Sequence, residues 1–516
     1  MRKIDDRPNI LLIITDQHRA DHTGFGGNAI VRTPNLDKLA ADGRVFNQAF
    51  VANPICMPNR CSMLTGRVPT AHGVIFNDRS LAWSTNTFVT QLANNGYCTG
   101  LVGKAHIQHG TSRESIIPFS QLPVADDPYP AGWDTLENYE QYLNSAEPVK
   151  DFYGFQHAEF TLGHGDLITG HHYRWAIDKG LDPETALLEW PTADRPVSNQ
   201  SKHWWQVYQA SCDEEYYSTT FVTERSCDWI SKQTQDKPWF FQCSFPDPHH
   251  PFTPPGDWGT RHKPCDMPVS NTLYDPLTNA PSHVKVLHGL SPSDTNIVQM
   301  FGPTEDQLKD AMAAEFGMIE YIDESIGKVL DCVEASGHKD NTIVIFTSDH
   351  GDMFGDHGLM LKGLLHYEGC TRVPFVVSGA GITPGVTNSL ASSLDIAQTI
   401  LDLTHTEELD HMQGVSLTPL LEDVNAVVRD HVYIEEDMPP FERARIPHKA
   451  RTLVTKEARM SSYSTGETEV YDRMADPDEL NNLAVTDPSS TLVSTMQKKM
   501  ITHLLNYTDM ARLSQK

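Results

Sequence analysis

Two short runs, Asn9–Thr15 (NILLIIT) and Thr342–Ser348 (TIVIFTS), are apolar in their interiors and stop abruptly at Asp16-Gln17 and Asp349-His350. Neither run keeps a polar face for water. Both therefore read as strands buried on two sides, the mark of a parallel sheet covered by helices. A carboxylate at the end of such a strand is costly unless it is paired, caps a helix or binds a metal. For either Asp alone, a helix N-cap is an ordinary explanation. The recurrence of the pattern, with Gln17 and His350 adjacent, favours a metal.

The rest of the chain fits that frame. Further strands are expected at 45–51, 97–102 and 239–245. Thr33 as N-cap and Pro34 at the first position open a helix that Gly43 ends. Another helix is expected over 87–93. Thr304 and Gln307 form a capping box. Behind it Leu308, Met312, Phe316, Ile319, Ile326, Leu330 and Val333 recur at helical spacing until Gly337.

Strands alternating with helices predict an α/β fold, a large, mostly parallel (mixed) sheet sandwiched by helices. Ligands in such sheets sit beyond the carboxyl ends of the strands. Two more strands end there in polar groups, Gly103-Lys104-Ala105-His106 and Pro248-His249-His250. Residues 107–218 lose this rhythm and read as a loop-rich, substrate-reading insertion in a catalytic domain spanning 1–425. Short strands at 458–463 and 468–471, then a helix from Thr491, predict a smaller C-terminal antiparallel sheet plus helix over 426–516.

The 516 residues are 39% hydrophobic and 21% charged, which supports a large core and excludes wholesale disorder. The net charge of −28 repels nucleic-acid backbones and anionic membranes. An anionic substrate would then need a local cluster of cations or a metal. Nine scattered cysteines form no disulfide framework. No long apolar stretch follows Met1, so a cytoplasmic protein is expected, or a periplasmic one if a leader is removed.

The segment Cys56-Met57-Pro58-Asn59-Arg60, continuing to Leu64-Thr65-Gly66-Arg67, predicts a helix begun near Pro58 and ended by Gly66. Cys56 would sit at its N-terminus, where free N–H groups favour an anion, with Arg60 one turn on. An isolated Cys would more simply be a packing residue. Here the pattern resembles the signature of the formylglycine-dependent sulfatases of the alkaline phosphatase superfamily. The resemblance continues through Asp16-Gln17, Thr33-Pro34-Asn35-Leu36, Lys104-Ala105-His106, Pro248-His249, Ser348-Asp349-His350-Gly351, Lys362 and the closing Tyr471-Asp472 to Leu483 segment.

That resemblance implies an alkaline-phosphatase-like fold and hydrolysis of a sulfate ester. Cys56, oxidised by a formylglycine-generating enzyme, would become an aldehyde (3-oxoalanine) whose hydrate is the nucleophile. It implies one divalent metal on Asp16, Gln17, Asp349, His350 and residue 56. Many sulfatases carry Asp-Asp and Asp-Asn where this chain has Asp-Gln and Asp-His. The variation resembles choline sulfatases and phosphonate monoester hydrolases. The family favours Ca²⁺, while an imidazole ligand keeps Mn²⁺ open.

By the same resemblance Arg60, Lys104 and Lys362 hold the ester oxygens, and His249, alone or with Lys362, protonates the leaving group, with His250 the alternative to His249. His106 removes the last proton and Asn77 contacts substrate. Taken singly, Lys104 or Lys362 would be a surface charge, and Asn77 a turn residue before Asp78. His157, His164, His171 and His172 in the insertion read as surface or packing residues. Trp204, Trp205 and Tyr208 read as core or as an aryl pocket. Relatives often assemble through C-terminal segments, so a homo-oligomer is expected. Phosphonate monoester or phosphodiester hydrolysis, and a non-catalytic metal-binding protein, are the competing readings.

Overall fold

The computed structural model describes residues 7–109, 132–138, 141–186, 200–290, 301–438 and 448–507. Asn9–Thr15 (β1), Gly43–Phe50 (β2), Cys98–Gly103 (β3), His157–Phe160 (β4), Trp239–Ser244 (β5), Thr342–Ser348 (β6), Phe375–Gly379 (β7) and Gly385–Ser392 (β8) form one sheet. Its order is β4-β3-β5-β1-β6-β7-β2-β8. β1 is parallel to both β5 and β6, and only β7 runs against its neighbours. The expected mixed, mostly parallel sheet is present.

Alternation along β1 divides the core. Ile10, Leu12 and Ile14 face the helices Cys56–Thr65, Phe88–Asn94 and Asp395–Leu403. Leu11 and Ile13 face the opposite layer, Pro34–Ala41, Ser218–Ile230 and Glu305–Ala335. A strand clad on both faces must be apolar at every position, which explains the unbroken run.

Register delivers the site. Thr15 pairs with Ser348 and Ile14 with Ser244, so β1, β6 and β5 end together. The Asp349 N–H donates to Thr15 O at 3.1 Å and the Asp16 N–H to Asp247 O at 3.1 Å. Gly103 ends β3 with φ of 112°, and a Cβ there would lie 1.8 Å from Ser244 O. Only glycine allows that approach, and it brings Lys104 to the same edge.

Two expectations need correction. Thr33 stands at the N-cap with Pro34 after it, as expected, but its side chain makes no capping hydrogen bond. Its hydroxyl donates to Asp37, while Asp323 of the long helix accepts from the Asn35 and Leu36 N–H groups at 3.1 and 2.8 Å. Gly43 begins β2 rather than ending the helix, which stops at Ala41. Within the 107–218 stretch, the described residues also supply edge strand β4 and the helix His171–Lys179. Parts of it, including 110–131 and 187–199, lie outside the described residues.

Val432–Asp437 (β9), Lys449–Val454 (β10), Ala458–Tyr463 (β11) and Thr468–Asp472 (β12) form a second, antiparallel sheet. Val493, Met496 and Met500 of the last helix pack on its Leu453, Ala458, Met460 and Val470. This sheet also touches the site edge, because Glu436 of β9 accepts from the Leu364 N–H at 2.7 Å, two residues beyond Lys362. Among the described residues no helix is long and apolar enough to cross a membrane.

Candidate active site

The helix Cys56–Thr65 starts at Cys56 and ends at Gly66, whose φ is 64°. Asn77 Oδ1 accepts from the Met57 N–H at 3.2 Å, so Asn77 caps that helix start from a distant loop. Cys56 Sγ lies 3.0 Å from His350 Nε2 and 3.7 Å from Asp16 Oδ1. One ligand atom each from Asp16, Cys56, Asp349 and His350 falls within 4.8 Å of all the others, and all four residues are buried.

The cations surround this cluster. Arg60 Nε donates to Asp349 Oδ2 at 2.6 Å, and Nη1 donates to Lys104 O and Ser244 Oγ at 2.8 and 2.9 Å. Arg60 Nη2 is buried without a hydrogen bond among the described residues. The Lys104 ammonium donates to Asp16 and lies 2.6 Å from His164 Nε2. The Lys362 ammonium donates to Gln17 Oε1 and to His249 Nε2, the latter at 2.6 Å.

Burial penalises charge throughout, and the pairings decide which groups keep it. Burial works against an ionised Asp16, but Lys104, then His249, His164 and Arg60, hold its carboxyl well below the usual range. Burial likewise opposes charge on Lys104, but Asp16, Cys56 and Asp349 together raise its pKa. Burial, with help from Asp16, pushes the Cys56 thiol up to about 11, so the unmodified side chain is a thiol at neutral pH and a poor nucleophile.

His350 is neutral, its pKa lowered to about 4 chiefly by burial. Its Nδ1 lies 2.8 Å from Gly351 O and so carries the proton. The Nε2 lone pair then faces Asp16 Oδ1 and Asp349 Oδ1, each at 3.6 Å. Lone pairs of two carboxylates and an imidazole converging in a buried space repel unless a cation sits among them. The donor set fits a divalent metal. The Gln17 N–H donates to Asp349 Oδ1 at 3.1 Å, while its amide oxygen accepts from Lys362.

Backbone strain marks the same edge. Gln17, His106 and Leu361 have φ of 61°, 54° and 69°. Non-glycine residues in this region cost about 1–3 kcal/mol each and cluster at functional sites.

The sequence profile described as Sulfatase matches residues 8–406, and one described as N-sulphoglucosamine sulphohydrolase, C-terminal, matches residues 355–506. The chain belongs to the sulfatase family. An arylsulfatase of Clostridium perfringens (strain 13 / Type A) is 30% identical over 96% of this chain and 94% of its own. A choline-sulfatase of Rhizobium meliloti (strain 1021) is 27% identical over 93% of this chain and 82% of its own. Among solved structures, a phosphonate monoester hydrolase from Silicibacter pomeroyi superposes with a TM-score of 0.78 at 22% identity, covering 98% of this chain and 96% of that one. That likeness supports the alkaline-phosphatase-like fold. The protein is a sulfatase, a hydrolase of sulfuric esters.

The sulfatase brings Asp16, Gln17, Cys56, Arg60, Lys104, His249, Asp349, His350 and Lys362 to one place. His106 lies beside them, half-buried, with Nδ1 lacking a hydrogen bond among the described residues. Burial and the nearby Lys104 and Arg60 push its pKa well below the ordinary histidine value. His249 is in contact with Lys362, the residue named with it for the leaving group. Its Nδ1 donates to His250 O, its Nε2 accepts from Lys362, and burial lowers its pKa well below normal. The imidazole is therefore neutral, with its Nε2 lone pair turned to the Lys362 nitrogen.

His164 is the residue that sequence reasoning misplaced. It is not a surface or packing histidine. Its ring stacks on His249 with centroids 3.7 Å apart and planes 15° apart. The flanking Gly163 and Gly165 were the available signal, since such pairs mark a tight, ordered turn. Asn59 was also passed over; its Nδ2 donates to Asp349 O at 2.5 Å, tying the Cys56 helix to β6. The other insertion residues follow expectation. His171 stacks on Tyr142, His172 on Phe221, and His157 pairs with Glu159. Trp204 and Trp205 pack in the core, which removes them from an aryl pocket, and Tyr208 donates to Asp166 at 2.7 Å.

Proposed function

We propose that this sulfatase cleaves a sulfate monoester with a formylglycine made from Cys56 by a formylglycine-generating enzyme. Asp16, Gln17, Asp349 and His350, with residue 56, would hold one divalent cation. Ca²⁺ is the family's ion, and the His350 ring nitrogen favours Mn²⁺ as the second choice. When present, the cation supplies Lewis acidity and the hydrated aldehyde supplies the attacking oxygen.

The chain's own groups account for the rest. Arg60 Nη2 and one N–H each of Lys104 and Lys362 bind the ester's non-bridging oxygens and stabilise the charge that grows there. The Lys362–His249 pair delivers the proton to the departing oxygen. His106, neutral with a bare Nδ1, accepts the proton that must leave residue 56 before sulfate departs. Asn77 holds the helix start and lies at the substrate's edge. Homo-oligomer formation through the C-terminal region belongs to the same reading.

One observation carries this function: Cys56 opens a helix beside two buried carboxylates and an imidazole lone pair, with Arg60 bound to one of the carboxylates. Gln17 and His350 also favour some hydrolysis of phosphonate monoesters and phosphodiesters, which carry the same single charge as a sulfate monoester. The test compares kcat/KM for an aryl sulfate and an aryl phosphonate monoester on one preparation. The sulfate should be preferred; a much larger constant for the phosphonate would reverse the ranking.

A further inference from the structure

We infer that His164 is a positioning residue for Lys104, and that the insertion completes the oxyanion pocket through it. This rests on the sulfatase reading of the site and adds a residue to it.

An ammonium has three N–H donors. One of those on Lys104 goes to Asp16 and a second to His164 Nε2 at 2.6 Å. With two directions fixed, the third is aimed at the ester. Lys362 is arranged in the same way, with Gln17 Oε1 and His249 Nε2 as its two acceptors. Each lysine is thus held by one side chain of the β1 terminus and one imidazole, and the two imidazoles stack on each other. The stack continues to His250, 4.1 Å from His249 and 21° from coplanar, whose Nδ1 lies 3.0 Å from Gln17 Nε2.

Single ligand atoms of Asp16, His164 and His249 lie within 4.8 Å of one another. The Lys104 ammonium touches the first two and provides positive charge there. The same His164 nitrogen lies 3.6 Å from Asp16 Oδ2, so the ammonium sits between the carboxylate and the imidazole.

The loop that presents His164 is built to hold still. Gly163 and Gly165 have φ of 90° and 64°. Asp166 accepts from the Tyr208 hydroxyl at 2.7 Å and from the Ser211 N–H and hydroxyl at 2.8 and 2.6 Å. The Thr169 hydroxyl donates back to Leu162 O. An imidazole so anchored can orient a flexible four-carbon stem that the sheet edge alone would leave free to turn.

The experiment compares His164→Phe, which keeps a stacking ring but no acceptor, with His164→Gln, whose amide oxygen can replace Nε2. Lys104→Ala serves as the control. His164→Phe should lower kcat/KM for an aryl sulfate on the order of 30-fold and raise the inhibition constant of inorganic sulfate about 10-fold. His164→Gln should stay within about 3-fold of wild type on both counts, with both variants melting like the parent. Full activity in His164→Phe, or equal losses in Phe and Gln variants, would overturn the inference while an inactive Lys104→Ala leaves the site reading intact. An active Lys104→Ala would instead reject the reading itself.

Discussion

The side-chain nitrogen of Gln17 donates to Asp352 Oδ2 at 2.7 Å, and this turns the Gln17 amide oxygen into the site toward Lys362. The other Asp352 oxygen accepts from the Phe354 and Leu361 N–H groups at 2.8 and 2.9 Å, which anchors the loop leading to Lys362. Asp352 therefore orients a proposed metal ligand and a proposed oxyanion ligand together. Asp352→Asn would present an amide donor to a donor on one side. It should weaken divalent-metal affinity about 10–100-fold, the usual effect of losing an outer partner of a ligand. Competition with a chromophoric chelator measures this, and unchanged affinity would remove Asp352 from the account.

Arg60 serves two masters, neutralising Asp349 through Nε and keeping Nη2, 3.7 Å from Asp16 Oδ2, without a hydrogen bond among the described residues. A lysine cannot do both, because it is a single point charge without the planar fork. Arg60→Lys should lower kcat on the order of 100-fold with a smaller change in KM, as expected for a donor aimed at developing charge. Steady-state kinetics on fully converted enzyme decides the matter; near-normal kcat would mean that Nη2 does not act on the reacting group.

Asp247, beside the His249 loop, is fully buried, and burial pushes its pKa up to about 7. A carboxyl that binds its proton more tightly when folded stabilises the protein at low pH. It loses that contribution as pH rises from about 4, the unfolded value, through about 7. Asp247→Asn removes the titration. In chelator-treated protein, the variant should gain on wild type across this window by roughly 1–4 kcal/mol. Urea denaturation at pH values on both sides of the window reports it, and a constant difference would show that Asp247 stays ionised or is equally protonated in both states.

Much of the architecture was legible because buried parallel strands and capped helices write themselves locally. NILLIIT and TIVIFTS have no amphipathic alternative, and Thr304 with Gln307 forms the capping box that the spacing predicts. Residues at strand ends were legible for a related reason: Asp16, Lys104, His249 and Asp349 all follow apolar runs. His164 was less so: Gly163 and Gly165 mark its tight turn, but its neighbours in space, Asp16, Lys104 and His249, follow three separate strands. Thr33 misled because the group that caps its helix, Asp323, lies far along the chain. The contact between His249 and Lys362 is not stated locally either, because Lys362 approaches from another loop.

Cys56 bears the central claim. Cys56→Ala should fold and melt like the parent yet lose turnover of aryl sulfates altogether. The most direct measurement is mass spectrometry of the tryptic peptide 45–60 from active enzyme, read beside the turnover rate of the same preparation. The account predicts a peptide in which the sulfur and two hydrogens of Cys56 are replaced by one oxygen, in a fraction that rises in proportion to activity. Full sulfatase activity with an unmodified thiol at position 56 would contradict it.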